Sequence, residues 1–217
     1  MNKTPRSYNQ FCALAKALDI VGERWTLLIV RELLSGAKRF KDLQNALPGI
    51  GPNLLSARLK DMESQALVAR AKLPPPAASA VYGLTERGRG LGKVVGELVK
   101  WGFSLLGTPK PGEFFQPRWA MQALLVTFDP KAAQGISETY EFRIDDEIFH
   151  ITVGDGKATG ELGPASHPDL VLVATSIEFL TLGFGENQNG YAAEKSLIKQ
   201  GSPEMLARFG RIFRHLR

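Results

Sequence analysis

Apolar residues in the first third of the chain recur at helical spacing in four successive stretches. The first consists of Phe11, Leu14, Ala15 and Leu18, which follow the i, i+3, i+4, i+7 spacing of one helical face. The second, WTLLIVRELLSG, is apolar nearly all round, as is typical of a helix buried on most sides. The third and fourth, RFKDLQNAL and PNLLSARLKDMESQAL, each pair an apolar stripe with a polar, cationic face. The pattern predicts four helices before residue 68.

Two short apolar stretches follow, LVARAK and AVYGLT, and they predict the two strands of a β-hairpin. Three consecutive prolines in the loop between them restrict its free conformations, so less entropy is lost when the loop lies against a partner. Helices followed by such a hairpin form a winged helix-turn-helix arrangement, in which the fourth helix enters the major groove of DNA.

A long helix is predicted next, over residues 86–105. Its apolar stripe extends past a small winged-helix core and predicts burial against a second copy of the chain; the stripe comprises Leu91, Val94, Val95, Leu98 and Trp101.

The second half of the chain changes from helical to alternating periodicity. After a linker rich in proline and glycine comes a predicted helix, WAMQALLVTF, and then the strands ETYEFRI, EIFHITV, KATGEL and DLVLVAT. A short helix, a fifth strand at SLIK and the amphipathic helix PEMLARFGRIF complete an α+β layer. We therefore expect a winged-helix domain over 1–106, a linker over 107–117 and an α+β domain over 118–217.

Composition is that of an ordinary globular chain, with 44% hydrophobic and 23% charged residues. A single cysteine excludes an internal disulfide, and no apolar run of about 18 residues predicts a membrane span. We expect a cytoplasmic protein with no membrane partner.

Charge divides the chain into two unlike halves. Residues 1–110 contain 17 basic and 8 acidic residues, a net +9, whereas residues 111–217 contain 10 and 14, a net −4. A basic half attracts polyanions, of which nucleic acid is the commonest. Within it, the candidate DNA contacts are Asn53, Ser56, Arg58 and Lys60 on the fourth helix and Arg70 and Lys72 on the wing. A solvated amphipathic face has the same pattern, and only the flanking elements favour DNA.

Several ordered motifs over residues 12–102 resemble the HxlR-type winged-helix regulators, which are related to the MarR group. The motifs are Cys12 thirteen residues before Trp25, GERWTLLIVREL, GAKRF, GIGPNLLSARLKDME, VYGLTERGRGL and the final Trp101-Gly102. The resemblance implies a homodimeric regulator that binds double-stranded operator DNA. It adds Lys38 and Arg39, at the start of the third helix, to the candidate contacts. The chain departs from the family in having Ala66 where relatives usually have glycine, and Ala13 where many have proline.

The same resemblance makes Cys12 a candidate redox sensor, because some members of the family use the equivalent cysteine as a switch. A buried, unreactive thiol is the alternative. The neighbouring Phe11 and Leu14, with Lys16 as the sole local cation, favour that alternative.

Residues 118–214 resemble the sterol carrier protein type two fold. The resemblance rests on YEFRIDDEIFHITVGDG, DLVLVAT, the helix at 177–185 and AAEKSLIKQGSPEMLARFGRIF. It implies an apolar cavity for a lipid or another small hydrophobic ligand, with Phe142, Phe149, Ile151, Leu172 and Phe179 as candidate lining residues. A filled core without a ligand has the same sequence pattern.

No enzyme motif is present in the sequence. There is no G-x-S-x-G elbow, P-loop or Cys-x-x-Cys pair, and the three histidines lack metal-ligand spacing. We expect a non-enzymatic regulator without cofactor or metal, modulated by a small apolar ligand. Two alternatives stay open: a redox regulator acting through Cys12, and a hydrophobic-ligand carrier whose winged helix binds protein.

Overall fold

The computed structural model describes residues 7–72, 74, 79–107, 110, 112–184 and 197–213. The chain forms two compact units, Met1–Val95 and Gly96–Arg217, and the division falls within one long helix. The domain boundaries at 106/107 and 117/118 stay a prediction. In the ranges just given, no helix is both long and apolar enough to cross a membrane.

The N-terminal unit is a winged helix-turn-helix, as predicted. Its elements are α1 (Ala13–Val21), α2 (Thr26–Leu34), β1 (Lys38–Arg39), α3 (Phe40–Ala46), α4 (Pro52–Ser64), β2 (Val68–Lys72), β3 (Ala80–Leu84) and the start of α5 (Glu86–Phe103). The strands form an antiparallel sheet in the order β1-β3-β2, with Val68 opposite Leu84. Proline occupies the first turn of α4, where its missing N–H costs no helical hydrogen bond.

The core of this unit is formed jointly by α2, α3, α4 and the wing strands. Ile29, Val30 and Leu33 from α2 and Leu55, Leu59 and Met62 from α4 are all at most 3% exposed and belong to one cluster. Each such side chain contributes about 1.5–3 kcal/mol when it leaves water. Their burial fixes the rotation of α4 about its axis.

Two predicted apolar stripes do not lie in this core. In α1 only Ala15 is buried, whereas Leu14 is 67% exposed and Phe11, which precedes the helix, is fully exposed. In α5, Leu91 and Val95 pack on the core, but Val94, Leu98 and Trp101 face outward. The helical spacing of α1 was correct, and most of its apolar face lies outside the core in a single copy of the chain.

The C-terminal unit combines helices with one five-stranded sheet. Its elements are α6 (Pro117–Val126), β4 (Glu138–Ile144), β5 (Glu147–Gly154), β6 (Lys157–Leu162), β7 (Leu170–Ala174), α7 (Ser176–Phe184), β8 (Ile198–Gln200) and α8 (Pro203–Ile212). The strand order is β6-β5-β4-β7-β8, in which β4 and β7 are parallel and the other neighbours are antiparallel. The predicted α+β layer is therefore present.

Helices pack on the apolar face of this sheet at close range. Phe209 of α8 lies 5.0 Å from Tyr140 of β4, centroid to centroid. A Cβ at Gly160 of β6 would lie 2.9 Å from the side chain of Met121 on α6, so any larger residue there would displace that side chain.

The turn after α4 holds an alanine in a conformation that favours glycine. Ala66 has a φ of +54°, and the chain closes the helix there through Ala66 N–H to Glu63 O and Leu67 N–H to Met62 O. This is the position at which the resemblance to HxlR-type regulators implies a glycine.

We expect Ala66→Gly to raise the free energy of unfolding by about 0.5–1 kcal/mol, because the left-handed conformation strains any residue with a Cβ. Urea unfolding monitored by circular dichroism measures the change. The matched control is Ala57→Gly in the same helix, an exposed alanine at which glycine should cost about 0.5–1 kcal/mol. An unchanged or lowered stability for Ala66→Gly would contradict the prediction.

Candidate nucleic-acid interface

The outer face of α4 presents a short row of polar side chains. Successive helical residues are about 100° apart around the axis, so residues 53, 56, 57 and 60 share one side. Asn53, Ser56 and Lys60 are all exposed there, opposite the buried stripe. The row contains an amide, a hydroxyl and a cation, which are groups that bind base edges and phosphate oxygens.

Arg58 lies on the flank of α4 and not in this row. Its guanidinium is paired with two carboxylates, at 3.2 Å from Glu23 and 3.2 Å from Asp61. Only 19% of its side chain is exposed. The ion pair with Glu23 links α4 to the segment before α2, and Asp61 accepts a hydrogen bond from the Arg58 Nη1.

Lys38 and Arg39 precede α3 and do not begin it, which corrects the predicted boundary. They form β1, in which Lys38 is opposite Tyr82 and Arg39 is opposite Val81 on β3. The Arg39 N–H donates to the Asp42 carboxylate at 3.1 Å, and this bond closes the first turn of α3.

The wing continues the same small sheet. Arg70 on β2 is also opposite Tyr82, and its guanidinium carbon lies 6.0 Å from the centre of that ring. Lys72 is exposed at the end of β2. The proline-rich tip, at 73 and 75–78, lies outside the described residues.

Sequence reasoning missed Arg24, although it lies within the motif GERWTLLIVREL. Arg24 is exposed just before α2, and its guanidinium carbon lies 5.5 Å from the centre of the Trp25 ring. It borders a cleft of about 420 Å³ that is also lined by Glu23, Leu54 and Arg58. The helical patterns gave no signal for this cleft, because its walls come from segments that are distant in sequence.

Cys12 is exposed immediately before the first turn of α1. The expectation of a buried thiol among Phe11 and Leu14 was wrong, since these neighbours are exposed as well. The thiol is accessible to small reagents in a single copy of the chain.

The candidate ligand-lining residues of the C-terminal unit lie in a closely packed core. Phe142, Phe149, Ile151, Leu172 and Phe179 are each at most 2% exposed. The rings of Phe142 and Phe149 stack at 4.9 Å, and Phe142 meets Phe179 edge to face at 6.1 Å. These contacts are those of a filled aromatic cluster.

Charged groups lie at the margin of the cluster. The Tyr140 hydroxyl donates to Glu138, which also pairs with Arg208 at 2.7 Å. Burial, followed by the bond to Glu138, holds the pKa of Tyr140 well above its usual value. Across the described ranges, no three His, Cys, Asp or Glu side chains are grouped as metal ligands.

Comparison with known proteins places the N-terminal half in a family. Residues 20–109 match the HxlR-like helix-turn-helix family. The HTH-type transcriptional regulator YvaP of Bacillus subtilis is 41% identical over 86 residues, which cover 40% of this chain and 80% of YvaP. YodB of the same organism, also an HTH-type transcriptional regulator, is 36% identical over 94 residues, covering 43% and 84%. The solved structure of reduced YodB, 33% identical, covers 48% of this chain and all of that chain with a TM-score of 0.40.

Sequence similarity over most of YvaP shows that the chain belongs to the HxlR-like helix-turn-helix family. It is a helix-turn-helix transcriptional regulator, as the motifs predicted. The matched region includes α2, the α3–α4 pair, the wing and α5.

We expect Phe149→Ala to lower the free energy of unfolding of the C-terminal unit by about 3–5 kcal/mol, because the ring leaves a cavity in a packed core. Urea unfolding followed by near-ultraviolet circular dichroism measures the loss. Ile177→Ala is the control, because Ile177 is 77% exposed and its truncation should cost less than about 0.5 kcal/mol. A cost below about 1 kcal/mol at Phe149 would instead indicate a loosely filled, ligand-accepting cavity.

Proposed function

We propose that this regulator binds operator DNA as a homodimer, with α4 in the major groove. The observation that carries the proposal is the exposed row of Asn53, Ser56 and Lys60, held outward by the buried stripe on the opposite side of α4. An asparagine amide can make two hydrogen bonds to an adenine edge, and a lysine can reach guanine or phosphate.

The small sheet supplies the backbone contacts in this proposal. Four cationic side chains lie on the strands beside α4. They are Lys38 and Arg39 on β1, and Arg70 and Lys72 on β2. Such contacts set the register of a protein on the duplex without reading its sequence. Arg58 takes a positioning role here, because its ion pairs with Glu23 and Asp61 brace the flank of α4.

The exposed apolar residues of α1 and α5 support the dimer. Leu14 and Trp101 are each 67% exposed, and Phe11, Val94 and Leu98 are exposed as well. Large apolar side chains grouped on one helix are typical of a surface covered by a partner. A two-fold dimer would present two copies of α4 to half-sites about 34 Å apart.

We further propose that the C-terminal unit responds to a small apolar ligand, as its resemblance to the sterol carrier protein type two fold suggests. A sheet whose apolar face is covered by helices supports that resemblance. Because the aromatic cluster is closely packed, a ligand would have to separate its rings, and it would change operator affinity only by favouring one state. Titration of operator binding with fatty acids tests this; unchanged affinity would leave the unit an architectural domain.

A redox role for Cys12 is the second candidate, favoured by the exposure of its thiol. Operator affinity before and after mild oxidation, in wild type and Cys12→Ser, separates this role from ligand sensing. An oxidation response that survives in Cys12→Ser would exclude it.

We expect Lys60→Ala to weaken binding to an operator selected from random duplexes by about tenfold, because one charge-assisted contact is lost. The slope of log affinity against log salt concentration should fall by about 0.9. Fluorescence anisotropy across a salt series measures both quantities.

Lys93→Ala is the matched control for Lys60→Ala, since it removes the same charge from an exposed position on α5. Its affinity should stay within about twofold of wild type, given that long-range effects of one surface charge are screened. Equal losses in the two variants would mean that only net charge, and not the face of α4, governs binding.

We expect Trp101→Glu to dissociate the dimer, because a charge in an apolar interface cannot be solvated there. Sedimentation velocity measures the mass. Lys93→Glu introduces the same carboxylate about 80° away on the same helix and should stay dimeric. A dimeric Trp101→Glu protein would place the interface elsewhere.

A further inference from the structure

The cleft beside α4 is bordered by Arg24, which is not among the DNA contacts predicted from the sequence. Arg24 stands where the chain enters α2, and the cleft continues past Trp25 to Leu54 and Arg58 on α4. All of these residues belong to the N-terminal unit. The cleft is therefore built by the DNA-binding domain alone.

The two arginines of the cleft differ in what they already bind. Arg58 forms ion pairs with Glu23 and Asp61, each at 3.2 Å. Arg24, in contrast, has no carboxylate partner among the described residues, and its guanidinium carbon lies over the Trp25 ring, 5.5 Å from the ring centre. A cation–π contact with a ring uses none of the N–H groups of a guanidinium as hydrogen-bond donors to a carboxylate. Arg24 is therefore the cleft's available donor for an anion.

The side of α4 on which the cleft lies indicates which anion would bind there. Leu54, Asp61 and Arg58 lie about 80–140° around the helix axis from Asn53. They form the flank of α4 that faces Glu23. The major groove is about 12 Å wide and a helix with its side chains is about 10–12 Å across. A helix seated in the groove thus has a phosphate backbone along each flank.

We propose that the cleft bordered by Arg24 receives a backbone phosphate at one lip of the major groove, and that Arg24 is the residue that contacts it. This inference rests on the proposed binding of operator DNA through α4. The planar guanidinium donates two parallel N–H bonds to phosphate oxygens, a geometry that fixes how deeply and at what angle the helix is seated. Glu23 also lines the cleft, and its carboxylate would repel the phosphate. The ion pair with Arg58 reduces this repulsion.

The first test is the affinity of Arg24→Ala for the selected operator and for a scrambled duplex, by anisotropy across a salt series. We expect a loss of about tenfold on both duplexes and a fall in the salt slope of about 0.9, since a phosphate contact carries no sequence information. Lys93→Ala again controls for net charge. A loss confined to the operator, or no loss beyond that of Lys93→Ala, would overturn the proposal.

The second test locates the phosphate. Single methylphosphonate linkages, which remove one backbone charge each, are placed in turn along both strands of a half-site. Wild type should lose about tenfold at one linkage flanking the groove, and Arg24→Ala should be insensitive at that same linkage. Losses at every linkage that are identical in wild type and variant would exclude a direct contact by Arg24.

Glu23→Gln supplies a variant whose effect has the opposite sign. Glutamine keeps a side-chain oxygen that can accept from Arg58 and removes only the charge, so binding should tighten by about twofold to fivefold, a gain that misfolding cannot produce. Weaker binding would count against a phosphate in the cleft.

The proposal and the function on which it rests fail in different ways. If Lys60→Ala weakens operator binding and Arg24→Ala does not, the cleft is not a phosphate site and binding through α4 stands. If wild type selects no duplex, or Lys60→Ala binds as wild type does, binding through α4 is itself wrong.

Discussion

Burial of the apolar stripe of α4 in the core that it shares with α2, α3 and the wing strands is the constraint on which the DNA-binding half depends. Leu55, Leu59 and Met62 can leave water only if the helix takes one rotation about its axis. That rotation places Asn53 and Lys60 outward and brings the flank of the helix to the start of α2. Helix dipoles, caps and ion pairs have smaller effects on the rotation of the helix. Packing therefore determines which side chains of α4 face outward.

The charged side chains near α4 have two different roles. Some form ion pairs that position the helix, and others are available to bind an anion. Arg58 is close to two carboxylates and contributes to the connection between α4 and the segment before α2. Such pairs are worth little as surface contacts, about 0–1 kcal/mol, and their effect here is mainly geometric. Lys60 and Arg24 have no carboxylate partner among the described residues, so each can pair with an anionic ligand. Composition alone does not distinguish the ion-paired cations from those available to a ligand.

In the C-terminal unit, the apolar sequence pattern does not distinguish a ligand cavity from a filled core. The alternation that produces Phe142 and Phe149 is the same whether the inner face of a sheet encloses a ligand or other side chains. In this structure the rings stack at 4.9 Å and Phe209 of α8 lies 5.1 Å from Phe142. The acidic half of the chain thus contains a complete core, and any ligand must compete with contacts already made.

The sequence by itself determined the helices, the wing strands, the sheet and the family, because periodicity and turn residues are local properties of the chain. It also placed Asn53, Ser56 and Lys60 on one face of a helix. Only the tertiary structure showed that Arg58 is committed to Glu23, that the α1 stripe is exposed, and that Arg24 borders a cleft with α4. These features join residues up to some 35 positions apart, and no local pattern records which distant side chains meet when the core closes.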